Sequence, residues 1–285
     1  MNLPFQMSLK HKVAIVTGGS GVLGRSLVMA LAEAGAKVAV LGRTQEKLSV
    51  IEEEADRLEG EVKGFSVDVL NKKHLEKVRD DIREQFGFCD ILINGAGGNH
   101  HDGTTSKDYF DKSDLEGVKK DVKSFFDLEP EGINYVLQLN FLGTLLPTQV
   151  FAEDMVHKKA ASIVNISSMN AFSPLTRIPA YSGAKAAVSN FTQWLAVHFS
   201  QTGIRVNAIA PGFFLTEQNY SLLVTEEGSP TERAQKILNQ TPMNRFGEAE
   251  ELKGTVLWLV NDQASSFVNG VVIPIDGGFS AYSGV

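Results

Sequence analysis

Short apolar runs alternate along the chain with longer segments whose apolar residues recur at helical spacing. The first run, Val13-Ala14-Ile15-Val16, is followed by a glycine cluster and then by Leu23, Leu27 and Leu31, up to Gly35. The same succession of strand and helix recurs with a strand at 38–41 and a helix over 46–58. It recurs again with a strand at 62–67 and a helix capped by Asn71, and a further strand is predicted at 91–93. Three later runs, at 162–166, 205–209 and 271–275, each follow a helical pattern. About seven strands alternating with helices predict a doubly wound parallel α/β sheet with helices on both faces.

The alternation indicates one domain over residues 1–285, because no Pro-, Gly- or Ser-rich linker and no further repeat divides the chain. Two segments interrupt it. The first, at about 97–130, is charged and aromatic without a clear period, and the second is at about 213–241. Loops of this length in compact domains are usually functional, so we expect a substrate-loop insertion and a mobile lid.

Composition narrows the class of protein. A net charge of −7 argues against nucleic-acid or anionic-membrane partners, which need a basic surface. No stretch approaches the roughly 18 apolar residues of a membrane span, and residues 1–12 lack the pattern of a signal peptide. The single cysteine, Cys89, precedes an apolar strand and is expected to be a buried thiol. We therefore expect a cytoplasmic protein.

The glycine cluster between the first strand and the first helix predicts a phosphate-binding loop. Backbone amide groups and the helix dipole at this position can hold a pyrophosphate, as in a Rossmann-type dinucleotide-binding domain. The alternative is a plain tight turn, but strand, loop and helix are all in order here. We expect cofactor contacts from Gly18, Ser20, Gly21, Val22, Leu23 and Gly24.

The ends of the next strands indicate where the rest of a dinucleotide would lie. The second strand ends at Gly42-Arg43, without the acidic residue that usually binds the ribose of NAD, and a guanidinium suits a 2′-phosphate. This favours NADP over NAD, unless Arg43 is only a solvated start to the next helix. We expect Asp68 and Val69 to contact the adenine and Asn94-Gly95-Ala96-Gly97 to flank the nicotinamide, although both could be simple strand-end turns.

Tyr181 and Lys185 open a helical segment one turn apart, and Ser168 follows the 162–166 strand, so the three can converge. A phenol must lose roughly three pKa units, or about 4 kcal/mol, to exchange protons readily at neutral pH, and an ammonium at about 4 Å supplies that order of energy. We therefore expect Lys185 to lower the pKa of Tyr181. Taken singly, these residues could be an ordinary aromatic, a solvated charge and a helix cap.

From about Leu9 to its end the chain resembles the classical short-chain dehydrogenases/reductases. The motifs occur in the family's order: the Gly18 loop, Asn94-Gly95-Ala96-Gly97, Asn140, Ser168, Tyr181 with Lys185, and Pro211-Gly212 with Thr216. One departure is that the middle glycine of the loop is Gly21, where the family usually has it one residue later, at Val22.

The resemblance implies a set of roles. Tyr181 would be the general acid, Ser168 a hydrogen-bond donor to the carbonyl oxygen, Lys185 a ligand of the nicotinamide ribose, and Asn140 would position a water of the proton relay. Pro211, Gly212, Phe214 and Thr216 would contact the cofactor. It also implies a homotetramer, which fits the apolar residues on several faces of the long helices; the alternative is that these faces pack only within the monomer.

The stretch from Asn94 to Asn140 is longer than is usual in the family. It places Asn99 and His100 where they could reach a substrate, although solvated histidines on a surface loop are the alternative. Together with the tail 276–285, this insertion resembles the subgroup called D-mannonate oxidoreductase or fructuronate reductase, which implies a sugar-acid substrate. Asn170, Arg177 and Arg245 are further candidate partners for a carboxylate or hydroxyl.

Other functions remain open from the sequence. The chain could reduce another keto-sugar, a polyol or a 3-oxoacyl thioester, or it could be a non-catalytic nucleotide-binding regulator; the intact Ser168, Tyr181 and Lys185 weigh against the last. The adjacent His100 and His101 and the scattered remaining histidines lack the spacing of metal ligands, so we expect a metal-free site.

Overall fold

A computed structural model describes residues 7–116, 122–216 and 219–284 and is built on a seven-stranded sheet. All six pairs of neighbouring strands are parallel, in the order β3-β2-β1-β4-β5-β6-β7. The strands are β1 (Val13–Thr17), β2 (Lys37–Gly42), β3 (Glu61–Ser66), β4 (Ile91–Asn94), β5 (Ala161–Ile166), β6 (Ile204–Pro211) and β7 (Val272–Ile275). Because the order reverses between β1 and β4, a crevice opens at the carboxyl ends of these strands. The predicted doubly wound, Rossmann-type fold is confirmed.

The helices connect successive strands across the two faces of the sheet. Asn71 caps the third helix as predicted, since its side chain accepts a hydrogen bond of 3.1 Å from the His74 amide. The helices are α1 (Val22–Glu33), α2 (Gln45–Ala55), α3 (Lys72–Gln85), α4 (Pro130–Leu137), α5 (Gly143–Met155), α6 (Pro179–His198), α7 (Tyr220–Leu223), α8 (Glu232–Gln240), α9 (Lys253–Val260) and α10 (Asp262–Ser265).

The central strands supply two cores, because alternate side chains face opposite sides of the sheet. In β1, Ala14 and Val16 pack into a core beneath α1, α2 and α9, while Val13 and Ile15 pack into a second core beneath α3, α5 and α6. All of β1 is buried. Burial on both faces explains why the central strands are nearly continuous apolar runs. Cys89 lies in the second core, buried as expected.

The two interrupting segments contain short helices. The insertion holds 3₁₀ turns at His101–Gly103, Lys112–Glu116 and Phe125–Asp127, and the second segment holds α7 and α8. Parts of the predicted domain, insertion and lid, namely residues 1–6, 117–121, 217–218 and 285, lie outside the described residues. Within the described ranges, no helix is both long and apolar enough to cross a bilayer.

Candidate active site

The loop after β1 folds back on itself before it enters α1. Gly18 has a φ of +65°, which glycine adopts readily, and its carbonyl oxygen accepts a hydrogen bond of 3.0 Å from the Gly21 amide. Gly21 has extended backbone angles and provides no side-chain cap for α1, which begins at Val22. The amide groups of the first turn are therefore available to an anion, and the helix dipole favours one there.

The backbone of this loop packs closely at two of its glycines, and this packing bears on whether the loop can bind a cofactor. A Cβ on Gly18 would lie 2.7 Å from the backbone of Gly95 and Ala96, and one on Gly24 would lie 2.8 Å from the Cα of Gly19. Real Cβ atoms do not approach this closely, so the loop keeps its shape only with glycine at these positions. The residues present fit the pyrophosphate of a dinucleotide, and the displaced Gly21 does not disturb the packing of Gly18 against Gly24.

The end of β2 lies beside Ser20 of this loop. A Cβ on Gly42 would meet the Ser20 hydroxyl at 2.8 Å, so the two residues are in contact. Arg43 follows, exposed, and its side chain forms no hydrogen bond or ion pair with any described residue. A free guanidinium thus stands next to the phosphate loop.

The ends of β3 and β4 differ in what they offer a ligand. Asp68 is exposed and accepts a hydrogen bond from the Leu70 amide, while Val69 is buried. Asn94 is buried, and its side-chain amide donates to Thr148 and Asn165, both at 2.9 Å. The Asn94 side-chain amide therefore joins β4 to its neighbours, while its side-chain oxygen is buried without a partner among the described residues.

Gly95, Ala96 and Gly97 continue from β4 toward α6. The amides of Gly95 and Ala96 donate to the Thr17 hydroxyl at 3.1 and 3.2 Å, which fixes this turn against β1. A Cβ on Gly97 would lie 3.2 Å from Nζ of Lys185. The wall expected beside the nicotinamide is thus in direct contact with the predicted catalytic lysine.

Tyr181 and Lys185 lie in the first turns of α6. Pro179 occupies the first helical position, where its fixed φ suits the helix and its missing amide proton costs nothing. Nζ of Lys185 lies 5.6 Å from the centroid of the Tyr181 ring and donates a hydrogen bond of 2.8 Å to the carbonyl of Ile166, at the end of β5. Lys185 is only 4% exposed.

The electrostatics of this pair differ from the sequence-based expectation. Burial raises the pKa of Tyr181 above its usual value, and a hydrogen bond with Ser168 offsets part of that rise. Lys185 is not among the causes that shift the pKa of Tyr181, and burial takes the pKa of Lys185 itself down to about 8. The expectation that one ammonium would make the phenol acidic was wrong for the protein alone, since it left out the desolvation of both groups.

Asn140 lies in a π-helical turn, Gln138–Leu142, between α4 and α5. Its side chain is completely buried and fully bonded: Oδ1 accepts from the Gly98 amide at 3.2 Å, and Nδ2 donates to the carbonyls of Gly98 and Val136 at 2.7 and 2.8 Å. Its backbone carbonyl accepts a hydrogen bond from Thr144. Asn140 therefore holds the first residues of the insertion beside Lys185.

Ser168 begins a 3₁₀ turn after β5, and its hydroxyl accepts a hydrogen bond of 3.3 Å from the Asn170 amide. Asn170 is 5% exposed, and its side-chain oxygen has no partner among the described residues. An unpaired buried acceptor is costly, which makes Asn170 a good candidate for a ligand contact.

The end of β6 carries the last predicted cofactor contacts. A Cβ on Gly212, which follows Pro211, would lie 2.6 Å from Asp276, and the Thr216 amide donates to Asn219. The ring of Phe214 is 6% exposed and lies in the core against Gly247, so this residue can offer only its backbone to a cofactor.

The insertion packs against α4. A Cβ on Gly132 would lie 2.5 Å from that of Asp102, and the Glu129 amide donates to the Asp102 carbonyl. Asn99 is exposed and donates to Thr104, while His100 lies 5.0 Å, ring to ring, from Tyr135. Asn99 and His100 therefore stabilise the turn at the start of the insertion.

Side chains of His100, His101 and Asp102 converge, so that one ligand atom of each lies within 4.8 Å of the others. This cluster was not expected from the sequence, because three consecutive residues lack the spacing of known metal-ligand motifs. Asp102 is already bound by the ammonium of Lys123 at 2.9 Å, and the Lys123 charge opposes a cation there. The metal-free site stays a prediction.

Two candidate substrate arginines are held by carboxylates. Arg177 donates to Asp108 of the insertion at 2.5 Å. Arg245 forms a two-pronged bond with Glu251 at 2.6 and 2.7 Å, which also lowers the pKa of Glu251 to about 2. Neither guanidinium is free to serve as the main partner of a substrate carboxylate.

Sequence reasoning missed a cavity of about 690 Å³ beside the catalytic helix. Its walls are the 173–178 loop that leads into α6, Phe213, and helix α8 of the predicted lid. Asp108 and two cations of α8, Arg233 and Lys236, also line it. The only signal in the sequence was the amphipathic spacing of α8, which does not reveal what its polar face contacts.

Comparisons with known proteins agree with this geometry. The family described as short chain dehydrogenase matches residues 12–226. An uncharacterized oxidoreductase of Haemophilus influenzae is 54% identical over 285 residues, which is 100% of this chain and 99% of that protein. A crystal structure with bound NAD, of a Haemophilus influenzae protein provisionally named D-mannonate oxidoreductase, has a TM-score of 0.94 at 52% identity and covers 100% of both chains.

A more distant structure has NADP bound. It is a protein of Agrobacterium tumefaciens provisionally named 2-deoxy-D-gluconate 3-dehydrogenase, with a TM-score of 0.78 at 27% identity over 98% of this chain and 100% of that chain. The chain belongs to the short-chain dehydrogenase family. It is an oxidoreductase that binds a nicotinamide dinucleotide, as the resemblance implied.

Proposed function

We propose that this short-chain dehydrogenase transfers a hydride between NAD(P)H and a carbonyl or alcohol carbon of a sugar acid, of the D-fructuronate and D-mannonate type. The observation that carries the proposal is the meeting of Ser168, Tyr181 and Lys185 at the carboxyl edge of the sheet, next to the glycine-lined cradle. A nicotinamide, when bound, supplies or accepts the hydride.

In the direction of reduction, Tyr181 donates a proton to the carbonyl oxygen and Ser168 donates a hydrogen bond to the same oxygen. The Tyr181 phenol is protonated at neutral pH, but burial raises its pKa and makes it a weaker acid, so proton transfer depends on stabilising the phenolate that is left. Lys185 holds the nicotinamide ribose, and its ammonium stabilises the phenolate that remains after transfer. Asn140 acts in the relay implied by the resemblance and also positions Gly98 through its side-chain bonds.

Two observations support a sugar acid. Among apolar and two acidic side chains, the cavity beside α6 also presents hydroxyl, amide and three basic side chains, which can bind hydroxyls and a carboxylate. Both solved relatives described above carry provisional names that refer to sugar acids. Asn170, with its unpaired buried oxygen, is a second candidate contact.

For the cofactor we propose a preference for NADP. Arg43 is exposed and unpaired beside Ser20, and Gly42 offers no carboxylate to a ribose 2′-hydroxyl. The alternative is NAD, which is bound in the similar Haemophilus influenzae structure. The ratio of the activities with NADPH and NADH distinguishes the two cofactors.

For the assembly we propose a homotetramer in the cytoplasm. On α6, Trp194 is 56% exposed and stacks on Phe191 and His198, with ring centroids 6.1 and 4.6 Å apart. These rings border a groove of about 470 Å³ shared with α5. Stacked, exposed aromatic rings are typical of subunit contacts.

The test is a spectrophotometric panel that follows NADPH and NADH with D-fructuronate, neutral ketoses and 3-oxoacyl thioesters. We expect turnover with the keto acid, and its near-complete loss in Tyr181→Phe while fluorescence titration shows unchanged cofactor binding. Substantial activity of Tyr181→Phe would refute the assigned chemistry. Tight cofactor binding without turnover of any compound would favour a regulatory protein instead.

A further inference from the structure

Helix α8 has two distinct faces. Ala234 and Ile237 are buried and form a small apolar cluster with Leu223, which attaches the helix to the rest of the lid. Arg233, Lys236 and Gln240 recur at helical spacing on the adjacent face and line the cavity of about 690 Å³, together with Ile237. The polar face of α8 is therefore held toward the cavity by the packing of the apolar face.

The opposite wall is the 173–178 loop, which leads directly into the helix that carries Tyr181. A ligand in the cavity would thus lie between α8 and the segment that precedes the catalytic residues. A substrate that reaches from this cavity to Tyr181 would have the cations of α8 at the end away from its reacting carbon.

Most of the charges in the cavity are already paired. Asp108 accepts hydrogen bonds from Arg177 at 2.5 Å and Thr176 at 3.2 Å, and lies 4.0 Å from Lys236. Lys236 also lies 3.6 Å from Glu232. The strong Arg177 bond keeps the pKa of Asp108 below its usual range, so this carboxylate stays charged.

Arg233 is different, because its exposed guanidinium forms no hydrogen bond or ion pair with any described residue. The cavity has three basic and two acidic side chains, which leaves an excess positive charge at the place where Arg233 stands. The chain as a whole carries −7, so it repels anions elsewhere on its surface. A planar, permanently charged guanidinium is well suited to grip a carboxylate with two parallel hydrogen bonds.

We propose that Arg233 is the residue that selects an anionic substrate, by binding its carboxylate, while Asp108 occupies Arg177 and keeps it from that role. The inference rests on the proposed function and identifies the specificity-determining residue of the same site. The substrate carboxylate would then be bound by Arg233 of α8 and not by Arg177, which the sequence suggested.

The test compares two matched pairs of compounds, D-fructuronate with D-fructose and D-mannonate with D-mannitol, in which a hydroxymethyl group replaces the carboxylate. Arg233→Gln should raise KM for the acids about tenfold to a hundredfold and leave kcat/KM for the neutral partners within about threefold. Arg233→Lys, which keeps the charge, should recover a large part of the loss. Arg57→Gln, an exposed arginine near the end of α2 remote from the crevice, controls for the change in net charge.

The outcomes separate the two proposals. If no acid is turned over by the unaltered enzyme, the proposed function is wrong and this inference is wrong with it. If the acids are turned over but Arg233→Gln weakens acids and neutral partners equally, or has no effect, the proposed function stands and the role of Arg233 is refuted.

Discussion

Replacing Lys185 by methionine should make the protein more stable while removing its activity. Lys185 is buried, and burial lowers its pKa from 10.5 to about 8. One pKa unit is worth about 1.4 kcal/mol, so keeping this ammonium protonated in the folded protein at neutral pH costs about 3 kcal/mol. Methionine has similar length and carries no charge, and it removes that cost.

The loss of a hydrogen bond offsets part of this increase in the free energy of unfolding. The ammonium donates a hydrogen bond of 2.8 Å to the Ile166 carbonyl, and leaving that carbonyl unpaired costs about 1 kcal/mol. We therefore expect Lys185→Met to raise the free energy of unfolding at pH 7 by about 2 kcal/mol, the difference between these two estimates. Few active-site substitutions are expected to be stabilising by this much.

The difference in the free energy of unfolding between Lys185→Met and the unaltered protein should decrease as the pH rises. Between about pH 8 and 10.5 the unfolded chain binds the Lys185 proton and the folded chain does not, so the stability of the unaltered protein rises with pH across this window. The variant has no such group, and its advantage should shrink from pH 7 to pH 10.

Urea unfolding of the cofactor-free proteins at fixed concentration, at pH 7 and pH 10, measures this difference. Lys47→Met is the control, because Lys47 is exposed and hydrated in both the folded and the unfolded chain. If Lys185→Met is less stable than the unaltered protein at pH 7, or if its advantage does not change with pH, the reasoning from burial is wrong.

Three further predictions concern the cofactor and the assembly. Gly24→Ala would push a Cβ into the phosphate-loop backbone and should abolish dinucleotide binding in a fluorescence titration, whereas Gly254→Ala, with open space around it, should bind normally and be stabilised by up to about 1 kcal/mol. Arg43→Gln should reduce kcat/KM with NADPH about tenfold or more and leave NADH nearly unchanged; equal losses with both would contradict a 2′-phosphate contact. Trp194→Glu should convert a tetramer into smaller species in light scattering, and Val50→Glu on exposed α2 should not; a 31.0 kDa species from the unaltered chain would refute the tetramer.

The sheet was predictable because its signals are local. A buried strand between two helical layers must be apolar along its whole length, and β1 is so in the sequence and in the structure. The Asn71 cap and the one-turn spacing of Tyr181 and Lys185 depend only on neighbours in the chain. Such features can be read from the sequence without knowing how distant segments meet.

The electrostatics and the substrate end of the site were not predictable for the opposite reason. The pKa of Tyr181 depends on how deeply the ring is buried, which spacing along a helix does not reveal. Arg177 meets Asp108, which lies 69 positions away, and only the folded chain brings them together. Arg177 could therefore be suggested from the sequence as a substrate contact, but its ion pair with Asp108 of the insertion could not be foreseen.

The hydrogen bonds between Asn140 and Gly98 make both ends of the insertion start from nearly the same point. The segment leaves at Gly98, which Asn140 holds, and returns through α4, which runs directly into the π-helical turn that carries Asn140. A segment anchored in this way can change in length and composition without altering the spacing of the residues to which it is tied. The insertion could therefore be exchanged as a unit. Replacing it with the corresponding segment of a relative should change the substrate while the residues that carry out hydride transfer keep their positions.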